Sequence, residues 1–421
     1  MQESNAQFEK LFLVPPRNGI YKSSEFMNTG IKLIKMKQLF SKKFIFSSDE
    51  FELIKLNEKE EENLLLEKYD LIFSRTSVVA AGVGKCSIII DTVNKLTWDS
   101  NTIRIRLDKK KSNPLFYFYF FNSYLGRSLV KTLSSGVAVT TITGKGLSTL
   151  NVPNPKLELQ NRVASILFNY DRLIGKNEHR IKVLERMARL IYEEWFGNSK
   201  FPGHKNVKMI DSKTDFGNIP EGWQIKKLSE FIEFVRGIEP GSKNYLETPN
   251  ENTIPFLRVG DLGKRDSGIF VNKTLVKNKI LNERDIAITL DGTVGIVKMG
   301  LKGAYSTGIR KILLNEGKYL PLSFIYLLLQ SDKIQDTLRA HAHGSTILHA
   351  SSSIDYMTFV LPKENYLKIF ESVGDKLLYE ILNLSKKNQN LRKTRDLLLP
   401  KLISGEIDVS DLDIKIPEIE A

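Results

Sequence analysis

A chain of 421 residues exceeds what one hydrophobic core usually serves, and 41% hydrophobic with 26% charged residues excludes a disordered or fibrous protein. Lys and Arg outnumber Asp and Glu by 62 to 49; the net charge of +13 favours a polyanionic partner through counterion release. The single Cys86 excludes an intramolecular disulfide and a multi-cysteine zinc site. The opening MQESNAQFEK lacks a signal pattern and no apolar run nears ~18 residues, so a cytoplasmic protein without a membrane partner is expected.

Residues 1–155 read as a mixed α/β domain. Short alternating runs at 31–39, 70–76 and 101–107, broken by Gly, Asn and Ser, predict strands. Pro114 opens an aromatic helix, and a polar loop around Gly136 leads to Val152-Pro153. Residues 156–198 then form a long helix. Val163, Leu167, Tyr170, Ile174, Asn177, Ile181, Leu184, Ala188, Ile191 and Trp195 alternate in steps of four and three, a heptad seam.

From 199 to 362 the landmarks of the first domain return in the same order. Ile254–Leu262 matches Ile31–Leu39, Asp285 matches Asp70, and Ser306–Lys311 matches Ser100–Ile105. Pro321 matches Pro114, His343-Gly344 matches Ser135-Gly136, and Leu361-Pro362 matches Val152-Pro153. The offset drifts slowly, as insertions in surface loops produce. Residues 363–421 supply the second long helix and a tail, with Leu377, Ile381, Leu384, Asn388, Leu391, Arg395 and Leu398 on its seam. Gly197 and Gly405 stand where helix C-caps belong, and Pro400 predicts an end or kink. The fold class is therefore α+β: two similar mixed domains separated by two long antiparallel coiled-coil helices, a pseudo-twofold internal repeat. Leu167, Ile174, Asn177, Ile181, Leu377, Leu384, Asn388 and Leu391 are the expected pairing residues, and aligned midpoints set Asn177 opposite Asn388. A buried Asn pair lowers stability and fixes register; one or both Asn on a solvated edge is the alternative.

Catalytic patterns fail. An amino-methyltransferase motif needs a polar residue, two prolines and an aromatic; Asn113-Pro-Leu-Phe and Asn154-Pro-Lys-Leu lack the second proline, and Val14 precedes Pro15-Pro16. Thr143-Gly-Lys-Gly146 is not a phosphate-cradling loop, and Gly82 and Gly84 read as a tight turn. His341, His343 and His349 have no nearby carboxylate or cysteine in sequence, so a polar loop is expected rather than a metal site. No catalytic residue and no metal ligand is predicted.

Arg suits guanine edges, Asn and Gln suit adenine edges, and Lys suits phosphates. The DNA-contact candidates in the first half are Lys35 and Lys37, placed on one strand face, with Arg75, Thr76, Ser77, Lys85 and Thr140. Those in the second half are Arg258, Lys264, Arg265, Asp291, Thr293, Ser345 and Thr346. Arg104 and Arg310 match across the repeat and suit structural ion pairs. Trp195-Phe196 is expected to be core where helix meets domain.

The segments Gly136–Pro153, Gln160–Leu167, Asp171–Ile174 and Leu190–Phe196 resemble the first conserved region of type I restriction–modification specificity subunits. Ile219-Pro-Glu-Gly-Trp223 resembles the opening of their second target recognition domain, and Leu391–Glu406 their second conserved region. The first domain lacks a Pro-Glu-Gly-Trp opening and the tail lacks the Trp-Phe pair. The resemblance implies two domains that each read half of a split, asymmetric double-stranded DNA target, with the helices as the spacer. It implies docking of two modification subunits and of restriction subunits, which would carry S-adenosylmethionine, ATP and Mg; none is expected on this chain. The rival expectation is a stand-alone DNA-binding or architectural protein without enzyme partners.

Overall fold

The computed structural model describes residues 5–77, 82–134, 140–262, 267–344 and 348–412. They divide into two compact units. One comprises the chain up to Ile174 together with residues from Asn390 onward; the other is Gly175–Gln389. Each long helix therefore contributes to both units. No described helix is long and apolar enough to cross a membrane.

In the first unit a five-stranded sheet runs in the order Phe12–Asn18, Thr102–Leu107, Leu71–Ser74, Cys86–Ile89, Phe44–Ile45. Alternation along the central strand explains its two faces. Ile103, Ile105 and Leu107 turn to a core shared with the aromatic helix, while Arg104 and Arg106 turn to the other face. A three-stranded sheet, Glu52–Ile54, Met27–Ile34 and Leu96–Trp98, covers that second face and supplies Trp98. The aromatic helix Pro114–Asn122 starts where the Asn113 side chain accepts from the N–H groups of Leu115 and Phe116, with Pro114 in its first turn. It is apolar all round because it is buried all round.

The second unit repeats this plan. Ile232–Arg236, Ile309–Leu314, Ala287–Thr289 and Val297–Lys298 form one sheet; Phe270–Asn272, Thr253–Leu257, Gly303–Tyr305 and Ile280–Leu281 form the other. Registers agree closely. Arg104 stands between Arg17 and Ile72, and Arg310 between Arg236 and Ile288. Ile288 thus takes the place of Ile72, one residue off the alignment that set Asp285 on Asp70. In the first unit the first strand pairs with the last, Ala6 opposite Val152; in the second, after a hairpin of Met209–Asp211 and Asn218–Pro220, the strand Gln224–Lys227 pairs with the last, Ile225 opposite Val360.

Lys35 and Lys37 do not share a strand face. The strand ends at Ile34, and Met36–Ser41 is a helix whose start is capped as Gln38 Oε1 accepts from the Lys35 N–H at 3.0 Å. Met-Lys-Gln-Leu contains no β-branched residue to prolong the strand. The repeat holds here too: Arg258 N–H donates to Asp261 Oδ2 at 3.1 Å to start a 3₁₀ turn.

The first long helix, Leu157–Tyr192, ends in a π turn at Glu193–Gly197. Gly197 lies inside that turn; the left-handed residue is Ser199 at φ 56°, and Asn198 N–H closes on the Glu193 carbonyl at 2.7 Å. The wider turn lets adjacent Trp195 and Phe196 both reach Phe370, with ring centroids 5.7 and 4.9 Å away. Both lie against the second unit's core.

The second long helix, Glu364–Ile403, does not end at Pro400. Proline removes one hydrogen bond, but Leu402 and Ile403 continue into the core of the first unit, and that burial outweighs the loss. Gly405, at φ 72°, then adopts the left-handed conformation of a helix stop.

Within the first unit Asp171 accepts from the Tyr119 hydroxyl at 2.7 Å and pairs with Arg395, while Leu167 and Ile174 are buried. Within the second, Asn177 Nδ2 donates to Asn388 Oδ1 at 2.9 Å, and Arg180 reaches Glu380 at 3.3 Å. Partners descend in number as the first helix ascends, so the helices run antiparallel there. Leu384 and Asn388 are buried; Ile181, Leu377 and Leu391 are half-buried.

Candidate nucleic-acid interface

In the first unit the strand Leu71–Ser74 delivers Arg75, Thr76 and Ser77 to one sheet end. Thr140 and Thr141 return to pair with Ser77 and Thr76, and the Arg75 carbonyl accepts from the Ile142 N–H at 2.9 Å. Arg75 Nη1 donates to the Ser100 carbonyl at 3.2 Å, which aims its guanidinium across the turn before Thr102–Leu107. Lys85 is brought to the same end: its N–H bonds Ser74 Oγ at 2.9 Å, and its ammonium lies 4.7 Å from the Phe40 ring centroid. Gly82 is required at this crowded spot, since an added Cβ would meet Ser77 Oγ at 2.3 Å and Phe40 at 2.8 Å. Lys35 is held by Glu52 at 2.5 Å, whereas Lys37 is exposed. Arg75, Thr76, Ser77, Lys85 and Thr140 thus come together, with Lys37 on the short helix that carries Phe40.

In the second unit Arg258 grips Asp261, Nε to Oδ2 at 2.9 Å and Nη2 to Oδ1 at 3.3 Å. That hydrogen-bonded carboxylate raises the pKa of the Arg258 guanidinium. Asp291 lies between Arg310 and His349, 3.5 Å from Arg310 Nη2 and 2.8 Å from His349 Nδ1. Thr293 is exposed, and its carbonyl accepts from Thr289 Oγ1 at 2.5 Å. Val259 packs toward Gly292 and Gly308, so the turn carrying Arg258 abuts the loop carrying Asp291. Lys264, Arg265, Ser345 and Thr346 lie outside the described residues.

The histidines form no cluster around a metal; among the described residues no group of three potential ligands is assembled. His343 and His349 instead exchange backbone hydrogen bonds at 3.0 and 2.8 Å, and His341 stacks on Tyr356 with centroids 4.0 Å apart. The carboxylate partner of His349 is Asp291, 58 residues away.

Arg310 is the ion-paired member of the matched arginines. Arg104 has no ion pair among the described residues; it lies 5.6 Å from the Trp98 ring centroid, and its Nε finds no hydrogen-bond partner there. Burial lowers the pKa of both, opposed by Asp70 for Arg104 and by Asp291 for Arg310. Sequence reasoning missed His349 and Ser351 as partners of this site, and Phe40. It also missed the Arg17–Arg236 match, since Arg-Asn-Gly-Ile and Arg-Gly-Ile differ by an inserted residue. The signal was present: Gly19 and Gly237 both lie where a Cβ would meet a neighbouring carbonyl oxygen, at 2.0 and 2.2 Å.

Comparison with known proteins bears on this doubled arrangement. The family model of the type I restriction modification DNA specificity domain matches residues 15–186 and again 220–383. The type I restriction enzyme MjaIX specificity subunit of Methanocaldococcus jannaschii is 28% identical over 312 residues, 70% of either chain. The putative MjaX specificity subunit of the same organism is 26% identical over 355 residues, 81% of this chain and 79% of that one. The fold is shared, at a TM-score of 0.60 and 14% identity over 96% of both chains, with the S subunit of a type I restriction-modification system from M. genitalium. With two matches that together span well over half of its length, one on each half of the repeat, this chain belongs to the type I restriction modification DNA specificity domain family.

Proposed function

We propose that this chain is the DNA sequence-specificity subunit of a type I restriction–modification complex. It reads a bipartite, asymmetric double-stranded target and scaffolds modification and restriction subunits. The observation that carries the proposal is the doubled family match on a doubled fold whose two polar surfaces differ. Arg75, Lys85 and the threonines in one half, and Arg258, Asp291 and His349 in the other, present different donors and acceptors. Different half-sites follow. In this proposal residues 1–155 and 199–362 read, and 156–198 and 363–421 space them. The chain itself is not catalytic; S-adenosylmethionine, ATP and Mg belong to its partners, and the complex works in the cytoplasm.

Apolar side chains left exposed on the helices favour a partnered chain over a stand-alone binder. Leu173 and Leu397 in the first unit, and Val183, Met187, Leu190, Ile369 and Val373 in the second, remain open after the helices pair. Methylation-sensitive sequencing of cells carrying this chain with its neighbouring modification gene, against cells lacking the chain, tests the proposal. The expected result is a split adenine-methylated motif that disappears with the chain. An unchanged methylome beside a stable complex would count against the reading role; no complex at all would favour the stand-alone binder.

A further inference from the structure

We infer that Arg310 is a positioning residue for the second reading surface, and that the described residues of the first surface are organised without an equivalent; this rests on the DNA-reading role proposed above. Arg310 is buried on the strand Ile309–Leu314 and ties the turn before that strand to two separate segments. Its Nη2 donates to Ser351 Oγ at 2.8 Å and lies 3.5 Å from Asp291 Oδ2, while Nη1 donates to the Thr307 carbonyl. Asp291 passes the restraint outward, because its other oxygen meets His349 Nδ1 at 2.8 Å.

The backbone closes around these side chains. Gly292 N–H donates to the Leu348 carbonyl at 2.8 Å, Ala350 N–H to Leu290 at 2.8 Å, and His343 and His349 bond each other in both directions. Gly308 completes the joint: a Cβ there would meet Val259 at 2.6 Å, so glycine lets the Arg258 turn close on the loop. One guanidinium, too buried to touch DNA itself, therefore sets where Arg258, Thr293 and His349 stand.

Arg104 occupies the same register in the first unit, yet does none of this. It faces Trp98, and the sequence from Arg75 to Gly82 contains no acidic residue. That surface is joined instead by the Thr140–Ser77 and Thr141–Thr76 backbone pairing and by the bond from Arg75 to the Ser100 carbonyl. The two reading surfaces are thus held differently: a buried charge network reinforces the backbone pairing in one, and among the described residues backbone pairing stands without it in the other.

The test is selection of duplexes from a randomised pool by the purified full-length chain, followed by sequencing of the bound fraction. Wild type should enrich a split motif. R310M and D291N should lose base preference at one half-site by tenfold or more and keep the other. R310K should recover part of the loss, because an ammonium can meet Asp291 but cannot also span Ser351 and Thr307. R104M should leave both half-sites as they are. D291N keeps an acceptor toward His349, so a melting curve can verify its fold even if R310M does not fold. Unaltered preference at both half-sites in folded D291N would overturn the inference, as would equal loss at both. If wild type enriches no sequence, the reading role fails, and the inference falls with it.

Discussion

The long helices meet their two units through different chemistry. In the first unit the junction is charged: Asp171 sits between Arg395 and the Tyr119 hydroxyl, and Arg162 holds the tail at the Val409 and Ser410 carbonyls. In the second it is aromatic, with Tyr192, Trp195 and Phe196 gathered on Phe324 and Phe370, and the polar crossings nearby are the uncharged Asn177–Asn388 pair and the exposed Arg180–Glu380 bridge. Moving one helical turn along each helix from that pair sets Ile181 opposite Leu384. The internal repeat places Asn177 on Leu384 and Ile181 on Asn388. The seam therefore repeats in shape but not in polarity. Pairing the first helix with a copy of itself would put Asn177 against Ile181 and leave Asp171 without Arg395. Buried polar groups of this kind select one partner and one register at some loss of stability.

The sharpest way to break the comparison is to attack the aromatic junction. Phe370 is fully buried among four rings, and Phe370→Ala should destabilise the second unit by about 4 kcal/mol. Chemical denaturation should show the second unit's transition moving and the first unit's staying. A joint shift would mean that the junctions are not separate.

The charged junction comes next. Asp171→Ala strands Arg395, which is largely buried but keeps Asp396 beside it, so the cost should fall at the low end, about 3 kcal/mol. Burial, reinforced by the Asp171 charge, holds the Tyr119 phenol well above its usual pKa. The folded state then binds that proton more tightly than the unfolded chain. The associated stability is complete below the unfolded tyrosine value of ~10 and is lost as pH rises through the folded one. Tyr119→Phe should flatten the alkaline fall in melting temperature; an identical profile would dissociate Tyr119 from it.

Smaller effects sharpen the contrast. Asn388 is 2% exposed, and replacing both Asn177 and Asn388 by Leu should raise the second unit's stability by about 1 kcal/mol, whereas Asn177→Leu alone should lower it by a similar amount. A fall in the double variant's melting midpoint would show the pair to be stabilising rather than selective. Smallest of all, Leu190 is 48% exposed, and Leu190→Glu should change stability by less than about 0.5 kcal/mol. Co-purification with the modification subunit should nonetheless weaken. Unchanged co-purification would assign that face to solvent.

Much of the architecture was legible because it rests on local periodicity. The seven-residue spacing from Val163 to Trp195 and the aromatic run after Asn113 each define an element without knowing what lies opposite. The ordered return of landmarks after residue 199 announced the second domain. Local chemistry misled where packing overruled it. A helix end at Pro400 was outweighed by Leu402 and Ile403, Gly197 by Trp195 and Phe196, and the strand expected through Lys37 gave way to a capped helix. The candidate surfaces were legible only as residue types, since nothing local distinguishes Lys35, paired with Glu52, from exposed Lys37.

The sequence by itself determined the doubled mixed domain, the two long helices and the inequality of the halves, because repeats and heptads are written in neighbouring residues. Only the tertiary structure decided that Arg310 meets Asp291 and Ser351 while Arg104 meets Trp98. Both arginines stand at the same register on equivalent strands. Trp98 is close to Arg104 in the chain, but Asp291 and Ser351 lie on segments remote from Arg310 in sequence, and the order of strands in a sheet, not proximity in the chain, brings those segments into reach.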